Sequence, residues 1–214
     1  MKRYLFCLVW SLAVAFTLSA QERFLALGDS YTIGESVSEE ERWPNQLVAF
    51  LNAETKRFEQ PEIIAVTGWH TDELIDSMNL HQFSPPYGLV TLLIGVNNQY
   101  QERSFGQYEQ EFPLLLDRAI ALAGDDPSRV VVVSIPDYSY TPFGQQHPRA
   151  DRITEELEFY NAFARSIAEE RGAKTVNITP ISQSRDPKLV ALDSLHPSGE
   201  QYQLWAEKIV VSIQ

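Results

Sequence analysis

Phe24-Leu25-Ala26-Leu27-Gly28-Asp29-Ser30 is the stretch on which the fold of this chain turns. An apolar run without polar alternation suits a strand covered on both faces, as in a parallel sheet between helices. Gly28 then permits a sharp turn, and the residues after Ser30 are able to open a helix. A strand, turn and helix in this order present a serine at the carboxyl edge of the sheet, with the turn's N–H groups facing an incoming anion. Taken alone, the same tripeptide is equally the mark of an ordinary helix N-cap in a turn.

The pattern repeats along the chain. Ile63-Ile64-Ala65-Val66, residues 89–94, residues 130–135 and Thr175-Val176 read as further strands. Helical patterns lie between and after them. In residues 151–171, Ile153, Leu157, Tyr160, Phe163 and Ile167 recur at spacings of three and four, with Asp151 as the expected cap and Gly172 as the expected stop. Residues 112–123 and 202–213 also read as helices. This β/α alternation predicts a parallel sheet with right-handed crossovers, an α/β three-layer α/β/α sandwich. No repeat or linker divides residues 21–214, which read as a single domain.

The first 20 residues read differently. Lys2 and Arg3 precede an apolar run from Tyr4 to Leu18, and small residues at Ser19-Ala20 lead into Gln21-Glu22. This layout predicts a secretory signal peptide, with an uncleaved anchor as the alternative. Export to the periplasm or the medium is the expectation, with no stable membrane span after cleavage. The one cysteine of the chain, Cys7, falls in this segment. Residues 21–214 therefore offer neither thiol catalysis nor cysteine-bound zinc. With 17 Lys+Arg against 29 Asp+Glu the formal net charge is −12, which repels phosphate backbones and argues against nucleic-acid partners. Oligomeric state is left open.

Asp193-Ser194-Leu195-His196, near the other end, completes the chemistry that Ser30 suggests. A serine hydroxyl is a weak nucleophile until a base takes its proton and a carboxylate orients that base. Pro197 biases His196 toward a loop, and Ser198 with Gln201 forms a capping-box pattern for the last helix. Asp193 is close enough to reach one ring nitrogen, leaving the other for Ser30. Gly68 and Gly95-Val96-Asn97-Asn98 follow strand ends, where backbone and amide N–H groups suit an oxyanion hole. Each feature has a plain alternative, a helix cap, a loop tie or a turn. Their combination points to a serine esterase.

Gly28-Asp29-Ser30-Tyr31-Thr32-Ile33-Gly34-Glu35, then Gly68, then Gly95-Val96-Asn97-Asn98, then Asp193-Ser194-Leu195-His196-Pro197 resembles the SGNH (GDSL-type) hydrolases. The resemblance implies a flavodoxin-like sandwich of about five parallel strands and no metal or other cofactor. It makes Ser30 the nucleophile, His196 the base and Asp193 its orienter, with Ser30, Gly68 and Asn97 as oxyanion donors. Tyr31 stands where the namesake motif has leucine, and Asn98 where aspartate is common. Trp69 and the aromatic segment around Tyr138 are candidates for lining the substrate. The expected substrate is a small-molecule or carbohydrate ester, with short-chain acyl or O-acetyl groups. Two rivals are a non-catalytic glycan-binding domain on the same fold and a metal-dependent phosphoesterase using Asp29, Asn97, Asp193 and His196.

Overall fold

The computed structural model describes residues 21–53 and 57–213. The predicted signal peptide lies outside the described residues. Five strands form one parallel sheet in the order β2-β1-β3-β4-β5. They are β1 (Phe24–Gly28), β2 (Glu62–Ala65), β3 (Leu89–Leu93), β4 (Val130–Val133) and β5 (Lys174–Val176). Each begins within a residue of the apolar run that announced it and stops one or two residues short where that run was longer. The three inner strands are buried throughout, so their sequence shows no alternation. Edge strand β2 is only partly covered.

The helices are α1 (Ser30–Ile33), α2 (Trp43–Leu51), α3 (Thr71–Leu80), α4 (Val96–Tyr100), α5 (Phe105–Leu122), α6 (Pro142–Gln145), α7 (Ala150–Arg171), α8 (Thr179–Ser182) and α9 (Gly199–Ile213). The passage from β1 to β2 runs one way across the sheet and the later crossovers run the other. Right-handed connections therefore put α2 on one face and α3, α5 and α7 on the opposite one. Helix α9 returns to pack against α2. Trp43 and Leu47 of α2 and Trp205 and Ile209 of α9 are fully buried there, each contributing about 1.5–3 kcal/mol of apolar burial. The result is the three-layer α/β/α sandwich.

Three local expectations are corrected. Helix α5 begins seven residues before position 112, because Phe105 packs onto Phe159, Tyr160 and Phe163 of α7 at centroid distances of 4.5–5.5 Å. That aromatic cluster extends the helix through Pro113. Asp151 is not the cap of α7; Arg149 holds that position, and Asp151 lies in the first turn, where its charge suits the helix dipole. The expected capping box at α9 is half made. Ser198 Oγ accepts from Gln201 N at 3.3 Å, but the Gln201 side chain donates to Leu189 O at 2.6 Å and so anchors the preceding loop.

The order of the sheet reverses at β1 and β3, a crevice where open α/β sheets bind ligands beyond their carboxyl ends. Ser30 follows β1, Gly68 follows β2 and Asn97 follows β3. The turn out of β1 needs Gly28. A Cβ there would stand 2.2 Å from Thr32 Oγ1 and 2.5 Å from Leu93 O.

Candidate active site

Ser30 is the first residue of α1 and is only 5% exposed. Asp29 caps this short helix, its Oδ1 accepting from Tyr31 N at 3.0 Å. Asp29 is fully buried and Oδ2 has no partner among the described residues. Burial outweighs the hydrogen bond from Tyr31 N and raises its pKa to about 7.

The residues before α9 form a closed loop. Val190 pairs with Pro197 in an antiparallel bridge, and Ala191 N donates to His196 O at 2.8 Å. Inside it, Asp193 Oδ1 accepts from the backbone N–H groups of Leu195 and His196, both at 2.9 Å. Ser194 takes a left-handed φ of 67° to let the chain turn. Asp193 Oδ2 meets His196 Nδ1 at 2.6 Å. Burial by itself pushes the Asp193 carboxyl up. Hydrogen bonds from Ser36 Oγ, Leu195 N, the His196 ring and His196 N outweigh it and bring the pKa down to about 2. A carboxylate on Nδ1 leaves Nε2 as the nitrogen that faces the cavity chemistry.

Gly68 has φ of 89°, and a Cβ there would meet nothing within 4 Å. Glycine is required by the backbone turn, and the space beside it belongs to the cavity. Asn97, at the start of α4, donates from Nδ2 to Trp69 O at 2.9 Å, which leaves one amide hydrogen for another acceptor. Asn98 is buried and holds α3, its Oδ1 accepting from Thr71 N at 3.2 Å and its Nδ2 donating to Thr71 Oγ1 at 2.8 Å. The asparagine at this position thus ties the Asn97 loop to the segment that follows Gly68.

These groups meet in one open cavity of about 310 Å³, lined by Ser30, Gly68, Asn97 and His196 together with the aromatic rings of Tyr100, Tyr138 and Phe143. Ser30 and His196 share it without a direct hydrogen bond, which in such sites commonly tightens only in the substrate complex. The sequence model of the GDSL-like lipase/acylhydrolase family matches residues 26–204. The chain belongs to that family.

Solved structures agree with the fold of this GDSL-type hydrolase. Axe2, an acetylxylan esterase from Geobacillus stearothermophilus, superposes with a TM-score of 0.67 at 17% identity over 90% of this chain and 94% of its own. A putative lipolytic G-D-S-L protein from Desulfitobacterium hafniense DCB-2 gives 0.69 at 15% identity, covering 90% and 99%. Esterase EstA from a Pseudoalteromonas species, in a structure inhibited by monoethylphosphonate, gives 0.63 at 18% identity, covering 90% and 97%. No curated protein matches the sequence.

Of the residues singled out in the sequence, Ser30, Gly68, Asn97, Tyr138 and His196 line the cavity, with Asp193 behind His196. Trp69 stands apart. Its half-buried ring packs against the core, and it serves the site through its carbonyl on Asn97. Tyr31 has a role beyond replacing leucine, since its buried ring meets the His196 ring edge-on at 5.7 Å between centroids and lies 6.2 Å from Trp205. Sequence reasoning missed Ser36, whose Oγ donates to Asp193 Oδ2 at 2.6 Å. Nothing in the local pattern at position 36 announces a partner at 193. Among the described residues, the grouping spaced for a metal ion is His70, Asp72 and Glu73. There His70 Nδ1 already bonds Glu73 Oε2 at 2.7 Å.

A larger depression of about 930 Å³ lies at the opposite edge of the sheet, lined by Arg23, Arg57, Arg129 and Lys174. These cations are engaged locally, Arg57 with Glu22 at 3.0 Å and Arg129 with Asp126 at 3.1 Å. Size does not mark the site here; the convergence of chemically matched groups does.

Proposed function

We propose that this GDSL-type hydrolase is an exported serine esterase that cleaves carboxylic esters through Ser30, His196 and Asp193. The observation that carries this reading is the 2.6 Å Asp193–His196 contact in a loop that sets His196 into the same cavity as Ser30, Gly68 and Asn97. His196 Nε2 takes the Ser30 proton as Oγ attacks the ester carbonyl. The tetrahedral oxyanion is stabilised by N–H groups of Ser30, Gly68 and Asn97. His196 returns the proton to the departing alcohol as the carbon–oxygen bond breaks, leaving an acyl-serine. Water, deprotonated by the same imidazole, repeats the attack and releases the acid. Asp193, ionised down to about pH 2, orients the ring and balances the imidazolium charge.

The leaving alcohol must lie on the His196 side. There, across Phe143, a second depression of about 340 Å³ is lined by Gln146, His147, Pro148 and Ser194. Polar groups beside an aromatic face suit a polyhydroxylated alcohol, and an acetylated carbohydrate is the substrate class this favours. The acetylxylan activity named for Axe2 is consistent with that choice. The signal-peptide pattern of residues 1–20 supports export. Within residues 21–213 no helix among the described residues is long and apolar enough to cross a membrane.

The test is hydrolysis of p-nitrophenyl acetate, butyrate and octanoate by the protein lacking residues 1–20, beside Ser30→Ala, with EDTA present. Activity in chelator that disappears in the variant supports the serine mechanism over a metal-dependent one. No turnover, together with no fluorophosphonate labelling of Ser30, overturns it and leaves the glycan-binding reading.

A further inference from the structure

Ser36 lies six residues beyond Ser30 and 157 residues before Asp193. Its backbone φ is 67°, in the left-handed region that glycine enters freely and a residue with a Cβ enters at a cost. Such an outlier at a site edge calls for a reason in the side chain. The Ser36 hydroxyl has one, for it donates to Asp193 Oδ2, the oxygen that also meets His196 Nδ1, at 2.6 Å in each case. The other carboxylate oxygen is occupied by two backbone N–H groups. Among the described residues, Ser36 and His196 are the side chains bonded to this carboxylate.

The two residues before Ser36 are held to the turn that carries Ser30. Ser30 O accepts from Gly34 N at 3.0 Å and from Glu35 N at 3.1 Å. The neighbouring Glu35 carboxylate accepts from Thr67 Oγ1, the residue before Gly68. The short segment after α1 thus touches all three parts of the site: the turn that carries Ser30, the loop that carries Gly68 and the loop that carries Asp193.

We propose that Ser36 is a positioning residue of this esterase site, its hydroxyl fixing the Asp193 carboxylate, and through it the His196 ring, relative to Ser30. The inference rests on the esterase reading above. The hydrogen bond from Ser36 is also the foremost of the contacts that hold the Asp193 carboxyl in its charged form. Glycine would adopt this φ more easily, but it has no hydroxyl to give to Asp193.

Ser36→Gly separates the two roles that a Ser36→Ala variant confounds. Glycine removes the donor and relieves the backbone, whereas alanine removes the donor and keeps the unfavourable φ. Both variants are compared with the wild type in kcat and KM for p-nitrophenyl butyrate, in the rate of fluorophosphonate labelling of Ser30, and in Tm. The expected result is a kcat about tenfold lower in both, with KM within about twofold, slower labelling, and a Tm for Ser36→Gly at or above that of the wild type. Wild-type kcat and labelling in Ser36→Gly overturn the proposal while leaving the esterase reading intact. A kcat loss that accompanies a lowered Tm in both variants assigns Ser36 to folding and overturns it too. An inactive, unlabelled wild type overturns the esterase reading, and this inference with it.

Discussion

Two aspartates of the site stand in opposite environments. Asp29, in the turn out of β1, is fully buried, and its pKa is raised to about 7. Asp193, in the loop before α9, is partly exposed, and its pKa is lowered to about 2. Burial pushes both upward. Hydrogen bonds to Asp29 come from backbone N–H groups alone, and one of its oxygens has no partner among the described residues. At Asp193 four donors meet both oxygens. Depth and donors act together: Asp29 is wholly desolvated with few donors, whereas Asp193 is partly exposed with four, and it is Asp193 that keeps its charge. The turn is a structural cap beneath the proposed nucleophile, and the loop holds a negative charge against an imidazole.

The sharpest way to break this contrast is through activity. Ser30→Ala is expected to lower kcat by about 10⁴-fold or more, measured on p-nitrophenyl esters. Asp193→Asn, which keeps the shape and removes the charge, is expected to cost about 10⁴-fold by leaving His196 in the wrong tautomer. If Asp193→Asn retains near-normal turnover, the charge that distinguishes the two aspartates has no catalytic use. Asn97→Ala is expected to cost about 100- to 1000-fold in kcat with KM little changed, as for a single oxyanion donor.

Smaller effects appear in stability against pH. The raised Asp29 pKa means that the folded state keeps a proton which the unfolded state loses from about pH 3.8 upward. Asp29 therefore makes stability fall as pH rises from about 4 to 7, by on the order of a few kcal/mol in total. Denaturant unfolding of the wild type should weaken relative to Asp29→Asn across that window and run parallel to it above. Asp193 has the opposite sign. Its contribution is present above about pH 4 and is lost as pH falls toward 2. Parallel unfolding curves for wild type and Asp29→Asn between pH 4 and 7 would remove the distinction between the two carboxylates.

Much of this arrangement is legible in the sequence. Strands β1 and β4 are apolar throughout and β3 is apolar but for the buried Thr91, because both of their faces are covered, and the same runs place Ser30 and Asn97 beyond strand ends. Asp193 and His196 are three residues apart, so one short loop suffices to join them. What was hidden depended on neighbours distant in sequence. The start of α5 is set by Phe105 meeting α7, and a helix pattern broken by Pro113 does not show that contact. Gln201 has the spacing of a capping box, yet its amide goes to Leu189. Trp69, adjacent to Gly68, is in sequence a candidate for lining the substrate, but its half-buried ring packs against the core.

The order of strands and helices, the α/β class and the candidates for nucleophile, base and orienter are determined by the sequence. Hydrophobic period, turn residues and motif order are properties of neighbouring residues, and short-range physics acts on them directly. The charge states of Asp29 and Asp193, the bond from Ser36 to Asp193, the tie from Glu35 to Thr67 and the aromatic wall of the cavity were decided only by tertiary structure. Desolvation and hydrogen bonding depend on which groups the fold brings within about 3 Å, and two identical aspartates in one chain differ by what surrounds them.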